Sequence, residues 1–299
     1  MLKGLAITPP VIGRVSIGRV VERNGKRLPE KDDQFTLTTQ VQNRDGWVLH
    51  PLDEALKREA GGKLRTLPVR LLFNDPALNL RADYSLFDRT SGRPMCVGNG
   101  ESCRRVGNDG IEAQPCPGPD ACRFGAGDCK AYARFNVVID QGQDDTLGSF
   151  VLRTTSFNTI RTLAARLQYF SAVSGGHLAC LPLELKLRGK STTMSHRAAI
   201  YYVDLVVRSG MSLEQAIEEA RVLGQRRRES GFDQAALDEA ARQGFANGAF
   251  EELDEDVPAV VEEFYPEGGA PLEAEAAQPV AATNLRGKLE GKVARMATE

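Results

Sequence analysis

Five of the six cysteines in this 299-residue chain, Cys96, Cys103, Cys116, Cys122 and Cys129, fall within 34 residues. The stretch around them, 88–130, is rich in Gly, Pro and Asp and has no apolar periodicity. It has no hydrophobic face to bury, and a loop of that length without structure of its own is uncommon in a compact domain. Metal-bound thiolates would supply the missing restraint. Structural zinc takes four thiolate or imidazole ligands in a tetrahedron and holds the intervening loops itself. The run Cys116-Pro117-Gly118-Pro119-Asp120-Ala121-Cys122, followed by Cys129, puts turn-forming residues between the sulfurs. The spacing is not the C-x-x-C of a zinc ribbon. We expect Zn2+ on Cys103, Cys116, Cys122 and Cys129, with Cys96 as the alternate for Cys103.

Two other readings of these cysteines stand beside this one. Four thiolates also suit an iron–sulfur cluster, and unligated cysteines serve as small hydrophobes in apolar settings. The setting here is Gly, Asp and Arg, which argues against the second. A catalytic zinc would use His or carboxylate ligands and keep a position open. No His lies in the segment, so the expected role is structural. His50, His177 and His196 are scattered and form no metal pattern such as H-E-x-x-H.

The rest of the chain has an ordinary globular composition, 41% hydrophobic and 26% charged, enough for a substantial core. No apolar run reaches the roughly 18 residues of a membrane span. The opening residues lack the pattern of a secretory signal. The expected location is therefore cytoplasmic, where thiols stay reduced.

Alternation and turn residues predict strands over 11–21, around the turn Asn24-Gly25, and over Phe35 to Val41. A helix is expected over Leu52 to Ala60, ended by Gly61-Gly62, and a strand over Leu67 to Phe73. Ala133 to Ile139 and Ser149 to Thr155 read as a strand pair. The helix after them carries Phe157, Ile160, Leu163, Ala164, Leu167 and Phe170 on one face. Leu183, Leu185 and Leu187 alternate with Glu184, Lys186 and Arg188, a two-faced strand to pair with 198–207. Ser212 and Gln215 form a capping box ahead of a helix, and another helix is expected over Asp233 to Phe245. The fold class is α+β: a mainly antiparallel sheet with flanking helices and an inserted cysteine zinc knuckle. The expected layout is a core over 1–210 with the knuckle at 96–130, then a helical extension over 211–250. An acidic disordered linker (251–283) and a basic C-terminal segment (284–299) complete it.

Enzymatic motifs fail one by one. Gly189-Lys190-Ser191-Thr192 resembles the end of a P-loop, but Glu184 stands where the first glycine is required. Neither G-x-G-x-x-G nor G-x-S-x-G occurs, and no carboxylate pair stands out, so the expected function is not enzymatic. Charge is unevenly spread: five basic residues against Glu22 between Arg14 and Arg27, and ten Asp or Glu with no Lys or Arg over 251–275. Basic groups that displace counterions from phosphate suit a DNA partner. The candidate contacts are Arg14, Arg19, Arg104, Arg105, Arg123 and Lys130. The plain alternative is a set of solvated faces. Arg226-Arg227-Arg228 suits the end of a helix by its dipole.

Taken in order, the segments Ile12-Gly13-Arg14 and Ile17-Gly18, the cysteine stretch ending Gly127-Asp128-Cys129-Lys130, and Phe150-Val151-Leu152-Arg153-Thr154-Thr155-Ser156 leading into Phe157-Asn158-Thr159-Ile160 are similar to a known family. They resemble the recombination directionality factor-like proteins of serine-integrase phages and integrative elements, over about residues 10–210. The resemblance implies a zinc-binding accessory protein of a mobile element. Such a protein binds the integrase on DNA and switches it from integration to excision, with the zinc ligands carried over onto Cys103, Cys116, Cys122 and Cys129. The runner-up is a single-stranded DNA-binding or replication protein in which Phe135, Tyr201 or Tyr202 stacks bases. A metal-dependent hydrolase comes third.

Overall fold

The computed structural model describes residues 10–23, 26–43, 46–141, 148–191 and 199–245, together with Val260, Phe264 and Tyr265. Side chains of 19–32 and of Gly46 and Phe245 are outside the description. The expectations for 251–283 and 284–299 fall outside it too, except at those three last residues.

Twelve strands and five helices follow one another along the described chain. β1 (Val11–Arg23), β2 (Lys26–Asn43) and β3 (Gly46–Leu49) form an antiparallel meander. β1 and β2 pair as far as Arg23 opposite Lys26; the turn expected at Asn24-Gly25 lies outside the described residues. α1 (Pro51–Glu59) begins at His50, whose Nδ1 accepts from the Leu52 amide at 3.2 Å. β4 (Thr66–Arg70) is shorter than the alternation implied, because Asp75 caps a four-residue helix, α2 (Pro76–Asn79), and the chain turns early. Asn79, fully buried, holds that turn by accepting from the Leu72 and Phe73 amides and donating to the Phe73 carbonyl.

β5 (Leu80–Phe87) leads into the cysteine-rich stretch, which is not the structureless loop that its composition suggested. β6 (Pro94–Gly98), β7 (Ser102–Gly107) and β8 (Gly110–Pro115) continue the sheet by antiparallel pairing. Their turns were readable: Asn99-Gly100 between β6 and β7, and Asn108-Asp109-Gly110 between β7 and β8. Backbone hydrogen bonds, which need no hydrophobic face, order this segment as far as Pro115.

β9 (Lys130–Ile139) and β10 (Ser149–Thr154) form the expected antiparallel pair, and β10 lies parallel to β1. The resulting strand order is β3-β2-β1-β10-β9-β5-β6-β7-β8. β9 also pairs with β4 at its far end, and β4 with β11 (Leu183–Lys190), which pairs with β12 (Ile200–Val207). α3 (Phe157–Val173) packs across this junction. Its Ile160, Leu163, Leu167 and Phe170 are buried as expected, whereas Phe157 and Ala164 face outward. The core holds Phe35, Leu37, Phe135, Phe150, Leu152 and Leu205, all essentially inaccessible. Phe135 is therefore closed to a nucleic-acid base, and Tyr201 and Tyr202 are half-buried.

The two-faced reading of β11 needs one amendment. Glu184 is buried, and its carboxylate accepts from the Ser209 amide at 3.0 Å and hydroxyl at 2.8 Å. Asp204, also buried, is held by Arg166 of α3 and Arg188 of β11, at 2.9 and 3.2 Å. Lys190, the lysine of the apparent P-loop remnant, lies at the end of β11 and donates to Asn158 Oδ1 at 2.8 Å. α4 (Leu213–Glu229) opens with the expected capping box of Ser212 and Gln215, and Arg226, Arg227 and Arg228 occupy its last turn. Ala216 and Ala220 of α4 join the main core. α5 (Gln234–Phe245) follows. Among the described residues no helix is long and apolar enough to cross a membrane.

Gly13 has no room for a side chain. A Cβ there would lie 2.4 Å from the buried Phe150 ring and 2.8 Å from the Thr38 carbonyl. We predict that Gly13→Ala destabilises the fold by about 1–3 kcal/mol, the usual penalty of overpacking, read as a lower urea midpoint. An unchanged midpoint would mean that β1 does not run this close to β10.

Candidate metal centre

The strands place the cysteines on one side of the β6–β7–β8 ribbon. In β7, Cys103 and Arg105 point inward while Ser102 and Arg104 point to solvent. Across the ladder, Arg105 is opposite Cys96 and Cys103 is opposite Gly98. Glycine is needed at 98: a Cβ would lie 2.5 Å from that of Cys103. Cys96 and Cys103 are both buried, and the Cys103 thiol donates to the Pro115 carbonyl at 3.7 Å.

The loop after β8 brings the other three. The Cys116 amide donates to the Glu101 carbonyl at 2.9 Å, tying it to the β6–β7 turn. A 3-10 turn, Pro119–Ala121, sets Cys122. Ala126 at φ 44 and Gly127 at φ 90 make a left-handed turn before Cys129. A Cβ on Gly125 would lie 2.7 Å from the Cys129 Cβ, so that turn folds tightly onto the sulfur-bearing residue.

Arg105 sits among the sulfurs. It donates to Cys122 Sγ at 3.7 Å, and its guanidinium stacks 4.1 Å above the Phe124 ring. Burial and the neighbouring Cys96 and Cys116 thiols push the Cys103 thiol up to about 11, against the pull of Arg105. Burial and the charges of Cys122, Cys96 and Cys116 likewise push Cys129 to about 11. These thiols lie within one another's electrostatic reach, and Cys96 acts on both Cys103 and Cys129. Among the described residues, however, no three His, Cys, Asp or Glu side chains stand close enough together to hold a metal ion as they are. The donor set itself, five thiols with no carboxylate or imidazole and one compensating cation, is of the soft type that zinc and iron–sulfur clusters take.

A family model described as recombination directionality factor-like, Gp3-like, matches residues 12–208. The chain belongs to that family. No curated protein and no solved structure matches it. The match covers the chain from the start of β1 to the end of β12, so the directionality factor-like region contains all twelve strands, α1 to α3 and every cysteine. α4, α5 and the acidic segment lie beyond it.

In this family member the sixth cysteine, Cys180, is remote from the others. It lies buried in a 3-10 turn, Leu178–Cys180, with Arg227 Nη1 3.6 Å from its sulfur. The basic candidates are dispersed. Arg104 and Arg123 face solvent, while Arg105 is turned toward the thiols and Lys130 is bound to the Phe264 carbonyl. Arg14 stacks 3.8 Å over Trp47. Arg19 lies opposite Glu30 in the β1–β2 ladder, and its side chain is outside the described residues. Sequence reasoning ranked Cys96 behind Cys103 and passed over Gly98 and Phe124. The Asn99-Gly100 turn could have shown that Cys96 and Cys103 lie on paired strands facing one way.

A thiol whose ionisation the fold holds back binds its proton more tightly folded than unfolded. Its stabilising share is complete below the unfolded pKa and is lost as the pH climbs to the folded one. With Cys103 and Cys129 raised from 9.0 to about 11, EDTA-treated protein should lose stability between pH 9 and about 11. Urea midpoints across that window test this, and a rising midpoint contradicts it.

Proposed function

We propose that this protein is a non-enzymatic accessory factor of a mobile element that acts with a DNA recombinase, controls the direction of recombination toward excision, and carries a structural zinc ion. Its membership of the recombination directionality factor-like family, over residues 12–208, is the observation that supports the recombination role. The absence of recognisable enzyme motifs agrees with an accessory part. DNA enters as the substrate that the recombinase and this chain share, with the exposed Arg104 and Arg123 on the cysteine ribbon as contacts.

The zinc proposal rests on the chemistry of the donors. Burial and the neighbouring thiols raise the pKa of Cys103 and Cys129, and a divalent cation would favour their ionised form. Cys116, Cys122 and Cys129 come from the loop and would bind with one thiol of the ribbon. Cys103, or Cys96 as its alternate, would supply that thiol, since both are buried on the same face of the ribbon. Zinc would fix the loop 116–129 to the ribbon and leave the chemistry of strand exchange to the recombinase.

Two measurements test the proposal separately. Elemental analysis should find about one zinc per chain, as expected of a four-thiolate site. The paired change Cys116→Ser and Cys122→Ser should remove it and loosen the loop 116–129 toward protease, since structural zinc contributes folding energy. Full metal content in that variant would exclude these ligands. For the recombination role, the protein should raise excision between the two hybrid attachment sites when added to a serine integrase from the same element. Unchanged integration and excision rates would remove the directionality function and leave the metal question open.

A further inference from the structure

Beside the cysteine ribbon lies an aromatic slot, and part of the acidic segment is seated in it. Phe87 at the end of β5 and Tyr132 in β9 meet edge to face, 5.2 Å between ring centres. Phe264, fully buried, packs against both, 4.9 Å from Phe87 and 6.2 Å from Tyr132, and Val260 is buried in the same cluster. The polar contacts fix a register. Lys130 Nζ donates to the Phe264 carbonyl at 3.0 Å, and the Tyr265 hydroxyl donates to the Phe87 carbonyl at 2.7 Å. Arg89 lies 4.5 Å over the Tyr265 ring, and Lys130 lies 5.1 Å over that of Phe264.

The segment is built to suit a basic rim. Glu262, Glu263 and Glu267 flank the aromatic pair, within a stretch of ten acids and no Lys or Arg over 251–275. A sequence that acidic has little apolar content with which to form a core of its own. Val260, Phe264 and Tyr265 are its apolar anchors, the last two standing four and five residues after the first, and all three reach the same slot.

We propose that the Phe87–Tyr132 slot, rimmed by Lys130 and Arg89, is a peptide-docking site for an aromatic pair in an acidic context, and that Val260, Phe264 and Tyr265 of this chain fill it as a releasable latch. The latch controls access. A segment tethered to its own site competes at an effective concentration on the order of millimolar, so a peptide of the same chemistry supplied from outside enters only when the latch leaves. The slot lies outside the thiol cluster, and the proposal stands or falls independently of zinc and of the recombinase.

The test uses the full chain and a fluorescein-labelled peptide of residues 254–268. In the double variant Phe264→Ala, Tyr265→Ala the latch is disabled while every residue of the slot is kept. Fluorescence anisotropy should show saturable peptide binding to this variant, and binding about tenfold weaker to the unaltered chain, the handicap set by a millimolar cis competitor facing a site of roughly 100 µM affinity. Adding Lys130→Glu to the double variant should weaken the peptide at least as much, and circular dichroism checks that all three proteins are folded. No binding to the double variant, equal binding to both latch states, or equal binding of a scrambled peptide would each overturn the proposal.

Discussion

A residue in a β-strand has backbone groups for two neighbours in the plane of the sheet, and β9 commits both at Ala133, Arg134 and Phe135. Its first half bonds to β5, residues 133–137 also bond to β10, and Val138 and Ile139 turn to β4. Because no third strand fits beside the same residues, these choices fix where everything else must lie. Through β10 the strand carries β1 to β3, and through β4 it carries β11 and β12 with α3 above them. Through β5 it carries the cysteine ribbon. The side chains follow the same division: Phe135, Val137 and Ile139 fill the core, while Lys130 and Tyr132 at the near end serve the latch and its slot.

Much of the core was legible because burial on one face imposes a period. Alternation at Phe35 to Val41 and Leu183 to Leu187, and the helical spacing of Ile160, Leu163, Leu167 and Phe170, each marked a real element. The inner face was right for the helix, but in β2 Thr36 and Thr38 are buried and Val41 is exposed. The capping box at Ser212 marked where α4 starts to the residue. The cysteine stretch was misread for a matching reason. β7 buries one residue fully and β8 buries none, so no period could report them. Those strands exist by pairing, and the only local traces of pairing are the turns at Asn99-Gly100 and Asn108-Asp109-Gly110. Glu184 shows the opposite error. Its polarity implied an outward face, but the Ser209 amide and hydroxyl, distant in sequence, satisfy its carboxylate and let it be buried.

The ribbon changes what a metal would have to do. Had residues 88–130 been a loop, the metal would have had to order all of it. With β6 to β8 already paired to β5, the backbone of Cys96 and Cys103 is set by the sheet, and the Cys116 amide is set by the Glu101 carbonyl. What remains for thiolate ligation is the loop 117–128 and the rotamers of the sulfurs. That is a smaller loss of entropy per ligand, and it gives a reason for a fifth cysteine. Cys96 and Cys103 lie two rungs apart on the same face, so on the zinc proposal either could offer a sulfur to the loop. Arg105, on the rung opposite Cys96, then balances whatever negative charge remains.

The turn before Cys129 ties this centre to the latch. Asp128 pairs with Arg89 at 3.2 Å, Cys129 faces the sulfurs, and Lys130 holds the Phe264 carbonyl, so three successive residues serve three different contacts. Arg89 is shared, since the same guanidinium that pairs with Asp128 stacks on Tyr265. The pair is exposed, where an ion pair contributes little to stability. Its effect is instead to orient Arg89 over the slot. Any shift of the 125–129 turn moves Asp128 and Lys130 together, so the backbone that presents Cys129 also sets the rim that receives the aromatic pair. The acidic segment, outside the family-matched region, thus rests on the same few residues that anchor the cysteine ribbon to the strand organising the sheet.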